Sequence, residues 1–130
     1  MELPEGAVMG RTRASAKAAG SRFNRLVADW FKGRGFPYAE VAPRWGSKDK
    51  GDVVNVRTPG GRNIVVEAKD YGGRYLVGEW LAEAEEERVN DSALACFVVA
   101  KRRGVTDPGS QVVFLTVRDL TAILTESRPE

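Results

Sequence analysis

Phe23, Leu26, Val27, Trp30 and Phe31 recur at spacings of three and four, the pattern of a helix with one buried stripe, and predict a helix over residues 15–32. Gly33 and Gly35 close it, as glycines past a helix do. Gly20, inside the pattern, signals a break or a close approach. A short strand is expected over 38–42, closed by Pro43, and then a polar, basic loop over 44–51. Residues 52–57 alternate weakly, and 62–69 contain Ile64-Val65-Val66, the strongest strand signal in the chain. Between them Thr58-Pro59-Gly60-Gly61 places proline and glycine at the centre of a tight turn, so the two runs should form a hairpin. Helical spacing returns over 76–90 with Leu76, Trp80, Leu81 and Ala84. A strand apolar on both faces follows over 94–100, a second basic loop over 101–110, a last strand over 112–117 and a closing helix over 119–125. The pattern describes one α/β domain over 15–130 behind a mobile basic arm, 1–14, that carries Arg11 and Arg13.

Composition narrows the chemistry. The 130 residues are 42% apolar and 29% charged, enough to build one core and too few for two. No run of 18 apolar residues exists, and the opening residues place acids first with no apolar core, so neither a membrane span nor a secretory signal is expected. A single cysteine allows no internal disulfide and points to the cytoplasm, of a host cell if the chain is phage-encoded. There is no histidine, which removes serine–histidine hydrolysis and nearly every zinc site. No glycine-rich phosphate loop exists, so no nucleotide cofactor is expected. The net charge of +2 hides an asymmetry: residues 1–62 hold 12 basic and 6 acidic side chains, and residues 63–130 hold 8 and 12. A basic front half suits a polyanionic partner.

The hairpin brings the chemistry together. With Pro59-Gly60 in the turn, paired residue numbers sum to about 119, which sets Asp52 across from Glu67, give or take one position. Directly opposed residues stand ~5 Å apart at Cβ. Two carboxylates that close need a cation between them, and Mg²⁺ or Mn²⁺ would suit, with the Ala68 backbone carbonyl as a further oxygen ligand. Lys69, one strand step from Glu67 on the same face, would orient a water nucleophile or stabilise charge growing on phosphorus. An alternating acid and lysine is also what a solvated strand face looks like, with an ion pair contributing only ~0–1 kcal/mol. Against that, Glu67 follows an apolar run deep in its strand, and the opposing acid arrives from the hairpin partner.

Asp52 followed by Val66-Glu67-Ala68-Lys69 resembles the PD-(D/E)XK nuclease signature. The wider pattern is similar to small phage and archaeal Holliday-junction resolvases over residues 15–120. It is carried by the first helix around Gly20-Ser21-Arg22-Phe23-Asn24-Arg25, the Gly35-Phe36 ending and the loop Gly46-Ser47-Lys48. Trp80, Glu83-Ala84-Glu85 and Arg88, and Val98-Val99-Ala100-Lys101-Arg102-Arg103-Gly104, extend it. The resemblance implies a restriction-endonuclease-like αβββαβ core with a mixed central sheet flanked by helices, a homodimer, and divalent-metal cleavage of branched DNA. It makes Asp52 and Glu67 metal ligands and Lys69 the catalytic lysine, and it gives Ser47 a contact to phosphate. The first-helix glutamate of the family falls on Asn24, which could hold a metal-bound water through its carbonyl but brings no charge. Glu40, Glu79 or Glu83 would then supply the missing carboxylate. Arg11, Arg13, Arg22, Arg44, Lys48, Lys50, Lys101, Arg102 and Arg103 are the expected DNA contacts. Other DNA substrates on the same fold, and a non-catalytic DNA-structure binder, are the alternatives. The run Glu83-Ala84-Glu85-Glu86-Glu87 reads as a solvent face, Cys96 as a buried filler, and Trp30, Phe31 and Trp80 as core or dimer contacts.

Overall fold

The computed structural model describes residues 11–43 and 51–130. Helix α1 (Arg13–Lys32) begins before its apolar stripe because Thr12 caps it, its hydroxyl accepting the Ser15 N–H at 3.0 Å. It buries Ala19, Phe23, Asn24, Val27 and Ala28. Gly20 marks neither a break nor a close approach: the helix runs through it, and beyond the helix's own nearby backbone no atom of the described residues lies within 4 Å of the place a Cβ would take. The turn after α1 needs Gly35, whose φ of 101° belongs to the left-handed region.

Five strands follow in one sheet: β1 (Glu40–Val41), β2 (Val53–Arg57), β3 (Asn63–Lys69), β4 (Ala95–Ala100) and β5 (Val112–Phe114), side by side in chain order. Only β3 and β4 run parallel; every other neighbouring pair is antiparallel. A parallel pair needs a long crossover, and α2 (Val77–Asp91) supplies it. A 3-10 turn at Pro108–Ser110 precedes β5, and α3 (Val117–Thr125) closes the chain. The architecture is α/β with a mixed five-stranded sheet.

Two ends differ from the pattern reading for local reasons. The first strand shrinks to two residues because Ala39 N–H bonds back to the Phe36 carbonyl, folding Pro37 and Tyr38 into a turn. Val117 opens a helix rather than ending a strand, because Thr116 caps α3 by accepting the Asp119 N–H at 3.1 Å.

Strand alternation sorts the core into two layers. On one face Ile64, Val66 and Ala68 of β3 and Phe97 and Val99 of β4 meet Phe23, Val27 and Ala28 of α1. On the other, Val65 of β3 and Cys96, Val98 and Ala100 of β4 meet Trp80 and Ala84 of α2. Glu67 and Lys69 share the parity of Val65, so they stand on the α2 face. Among the described residues no helix is long and apolar enough to cross a membrane.

Candidate metal centre

The β2–β3 hairpin turns through Pro59-Gly60, with Gly61 N–H bonded to the Thr58 carbonyl at 2.8 Å and Gly61 at a φ of 87°. Near this turn Val56 pairs with Ile64 and Arg57 with Asn63; farther out, Val53 pairs with Val66. One extra residue on β2 separates the two registers. Asn55 lies in that bulge with φ 66°, a conformation that asparagine tolerates better than most residues. Continuing the turn-side register would set Ala68 opposite Asp52; the bulge shifts the partner to Glu67. Asp52 N–H donates to the Val66 carbonyl at 2.9 Å, and its Oδ2 accepts the Ala68 N–H at 2.9 Å. Asp52 therefore brackets Glu67 from the neighbouring strand end.

The bulge makes a prediction of its own. Asn55→Val forces a β-branched side chain into a left-handed backbone and is expected to cost about 1–3 kcal/mol in urea unfolding. Asn55→Gly should stay within about 0.5 kcal/mol of the parent, since glycine adopts that conformation freely. A valine variant as stable as the parent would mean that the bulge is not what sets the register.

Glu67 is 2% exposed in the middle of β3, and its Oε1 accepts no hydrogen bond among the described residues. An unmet buried carboxylate oxygen is rare in folded proteins and asks for an occupant. Lys69 Nζ lies 4.0 Å from Glu67 Oε2 and 2.9 Å from Glu83 Oε1. One oxygen each of Glu67, Glu83 and Glu87 lie within 4.8 Å of one another. The donors these three carboxylates offer are all hard oxygens. That set fits a hard divalent cation such as Mg²⁺ or Mn²⁺ and does not fit a thiophilic one.

Glu87 is the residue that pattern reading misses. It is buried, so the 83–87 run is not a solvent face throughout. Its spacing of seven from Trp80 and three from Ala84 puts it on the core stripe of α2, and Glu83 shares that side. Glu40 and Glu79 are exposed and stand outside the three-carboxylate group. Asn24 is buried on α1, the helix that covers the sheet face opposite to Glu67.

The basic residues divide. Lys101 N–H donates to the Lys69 carbonyl at 2.9 Å, so the second basic loop starts beside Lys69. Arg103 Nε donates to the Gly72 carbonyl at 3.1 Å and Arg102 Nη1 to the Ser110 carbonyl at 3.0 Å, which fixes that loop to its neighbours. Arg11 is held rather than loose: it donates to the Asp70 carbonyl at 2.8 Å and to Asp70 Oδ1 at 2.9 Å, next to Lys69 in the chain. Arg13 and Arg22 are exposed on α1. Ser47, Arg44, Lys48 and Lys50 lie outside the described residues.

A second acidic group, Glu85, Cys96 and Asp119, also falls within 4.8 Å. Arginines already answer its charge. Arg128 Nη1 bonds Asp119 Oδ1 at 2.7 Å, Arg128 Nη2 reaches Glu85 Oε1 at 3.4 Å, and Arg88 Nε bonds Glu85 Oε1 at 2.6 Å. Burial works to raise the Asp119 carboxyl, but hydrogen bonds from Thr116, Arg128 and the Cys96 amide together hold it below the ordinary value of 3.8. Desolvation, with the nearby Asp119 and Glu85 charges, pushes the Cys96 thiol up to about 12.

No protein-family model matches the chain, and no curated protein or solved structure matches it either.

Proposed function

We propose that this chain is a divalent-metal-dependent DNA endonuclease of the PD-(D/E)XK type that cuts four-way junctions by paired phosphodiester hydrolysis. The observation that carries the reading is Glu67: an ionisable side chain in a buried strand, with one oxygen unmet among the described residues, an ammonium one strand step on and Asp52 bracketing it from the hairpin. The order of elements, α-β-β-β-α-β followed by a further strand and helix, agrees with a restriction-endonuclease-like core.

In this reading Asp52, Glu67 and the Ala68 carbonyl would hold Mg²⁺ or Mn²⁺. The ion's chemistry is to lower the pKa of bound water and neutralise phosphoryl oxygens. Lys69 orients the attacking water or stabilises charge on the phosphoryl group, and its burial at 13% exposure strengthens that interaction relative to bulk water. The loop from Lys101 to Arg103 follows the DNA backbone from the rim beside Lys69. A homodimer would present two identical sites to the two strands of one junction. Junction selectivity then comes from the angle between arms, read through phosphates rather than base edges.

The test is competition between a labelled four-way junction and unlabelled DNA in Mg²⁺. Unlabelled junction should suppress nicking at equimolar amounts, and linear duplex of the same sequence only at about 100-fold excess. Neutralising about six phosphates also predicts a log–log salt slope near −5 for binding, an affinity loss of ~10³ between 50 and 200 mM salt. Equal suppression by linear duplex would turn the assignment to a restriction- or recombination-type enzyme. Junction binding without nicking in Mg²⁺ or Mn²⁺ would leave a DNA-structure binder.

A further inference from the structure

The turn between Lys69 and helix α2 carries two tyrosines that the hydrolysis chemistry does not use. Tyr71 and Tyr75 are 42% and 41% exposed. We propose that their rings form a platform on which an unpaired DNA base stacks, beside the phosphate that Lys69 handles. The inference rests on the reading of branched DNA as substrate and adds how the chain tells an interrupted base stack from a continuous one.

The rings are held in place from below. Tyr71 makes a T-shaped contact with the buried Trp80, centroids 5.1 Å apart, and Tyr75 makes T-shaped contacts with Phe114 at 5.2 Å and Trp80 at 6.5 Å. The backbone that carries them is set as well. Gly72 and Gly73 take left-handed φ values of 67° and 94°, Arg74 N–H donates to the Tyr71 carbonyl at 3.2 Å, and Asp70 Oδ1 accepts the Gly72 N–H at 3.1 Å. A planar face fixed before binding loses little freedom when a base covers it.

Position and charge select the occupant. Both rings contact Trp80 of α2, so they stand on the sheet face that carries Glu67 and Lys69. Two residues of chain span at most ~7 Å, and stacked bases rise ~3.4 Å per nucleotide. A base on Tyr71 therefore belongs to a nucleotide within a few steps of a phosphate at Lys69. The turn also lies against the second basic loop: Arg103 Nε donates to the Gly72 carbonyl at 3.1 Å, and a Cβ on Gly73 would come within 2.8 Å of Arg103 Cβ. Residues 70–75 and 101–103 together carry Arg74, Lys101, Arg102 and Arg103 against one acid, Asp70, which Arg11 pairs at 2.9 Å. Open aromatic rings among cationic loops suit a polyanion with planar faces, the chemistry by which proteins grip unpaired strands. Within a continuous duplex every base is already covered on both faces; at a branch point the stack is interrupted.

Binding measured by fluorescence anisotropy in EDTA tests this without reference to cleavage. The probes are a labelled four-way junction with one unpaired thymidine at the branch point and the same junction with an abasic residue in its place, which keeps every phosphate. Wild-type protein should bind the thymidine junction at least about fivefold more tightly, the low end of what one stacked base contributes. The double variant Tyr71→Leu, Tyr75→Leu keeps apolar contact with Trp80 and Phe114 but removes both rings. It should bring the two affinities within about twofold while binding the abasic junction as the parent does. Each single leucine variant should lose part of the difference, and carries the test if the double variant fails to fold by its far-UV spectrum. Tyr71→Phe with Tyr75→Phe should keep the difference, because stacking needs the ring and not the hydroxyl. Equal wild-type affinity for the two junctions, a difference that survives in the leucine variants, or one lost in the phenylalanine pair would overturn the inference. If the junction is still nicked in Mg²⁺, the endonuclease reading stands without it. The predicted difference and its loss, in a protein that nicks no DNA, would support the platform and reject the endonuclease reading. Binding to neither junction would overturn both.

Discussion

Glu67→Ala is expected to abolish Mg²⁺-dependent nicking of a four-way junction, a loss of at least about 10³-fold, while junction binding stays within a few-fold. The two readouts should separate because the buried Glu67 would touch the ion in the proposed reading, whereas binding would rest on basic side chains of the rim. Asp52→Ala should give the same pattern, since it removes the carboxylate that brackets Glu67 and contacts the Ala68 amide. Lys69→Ala should match it again, and Lys69→Arg should not restore activity, because a planar fork cannot take the place of a compact ammonium 2.9 Å from Glu83. Single-turnover nicking and fluorescence anisotropy measure the two quantities. A nicking rate within tenfold of the parent in any one alanine variant would remove that residue from the chemistry.

The largest stability effect is expected at Arg128. Its guanidinium reaches Asp119, Glu85 and the Leu94 carbonyl, and ties residue 128 to α3, α2 and the residue before β4. Arg128→Ala strands a buried Asp119 charge and should cost about 3 kcal/mol, a fall in Tm on the order of 10 °C. The pH dependence has a definite sign. Both Asp119 and Glu85 are held below their ordinary values of 3.8 and 4.5, so the stability they confer is fully present above those values and drains away as pH falls through the lower folded ones. The deficit of Arg128→Ala should therefore be largest near pH 7 and shrink below about pH 4, where the lone carboxylate takes up a proton. Urea melts at both pH values measure it. A deficit that does not change with pH would mean that Arg128 acts through packing alone.

Much of this arrangement is legible in the chain because it depends on short-range regularities. The stripe from Phe23 to Phe31 and the all-apolar run ending at Ala100 each report one element, and the turn at Pro59-Gly60 fixes which strands pair. The turn places the partner of Asp52 at Glu67 to within one position, and the strand period of two sets Glu67 on one face with Lys69. What escapes depends on long-range choices. The Asn55 bulge cannot be read from alternation, yet it decides whether Glu67 or Ala68 stands opposite Asp52. Glu87 looks like one acid among several until the Trp80–Ala84 stripe is extended by three residues. Asp119 is similar: Thr116 three residues before it is the signature of a helix cap, but its burial depends on an arginine nine residues on. Arg11 reads as part of a loose arm because only the folded chain brings Asp70 to it.

A divalent cation is expected at the buried Glu67 carboxylate. The most direct measurement is a crystal structure of the protein soaked in Mn²⁺, with an anomalous difference map at the manganese edge. A peak within about 2.2 Å of a Glu67 oxygen, with at least one further carboxylate in contact, is the predicted result. A map without density at Glu67, with the Lys69 ammonium bonded to both of its oxygens, would mean that lysine and not a metal ion satisfies Glu67.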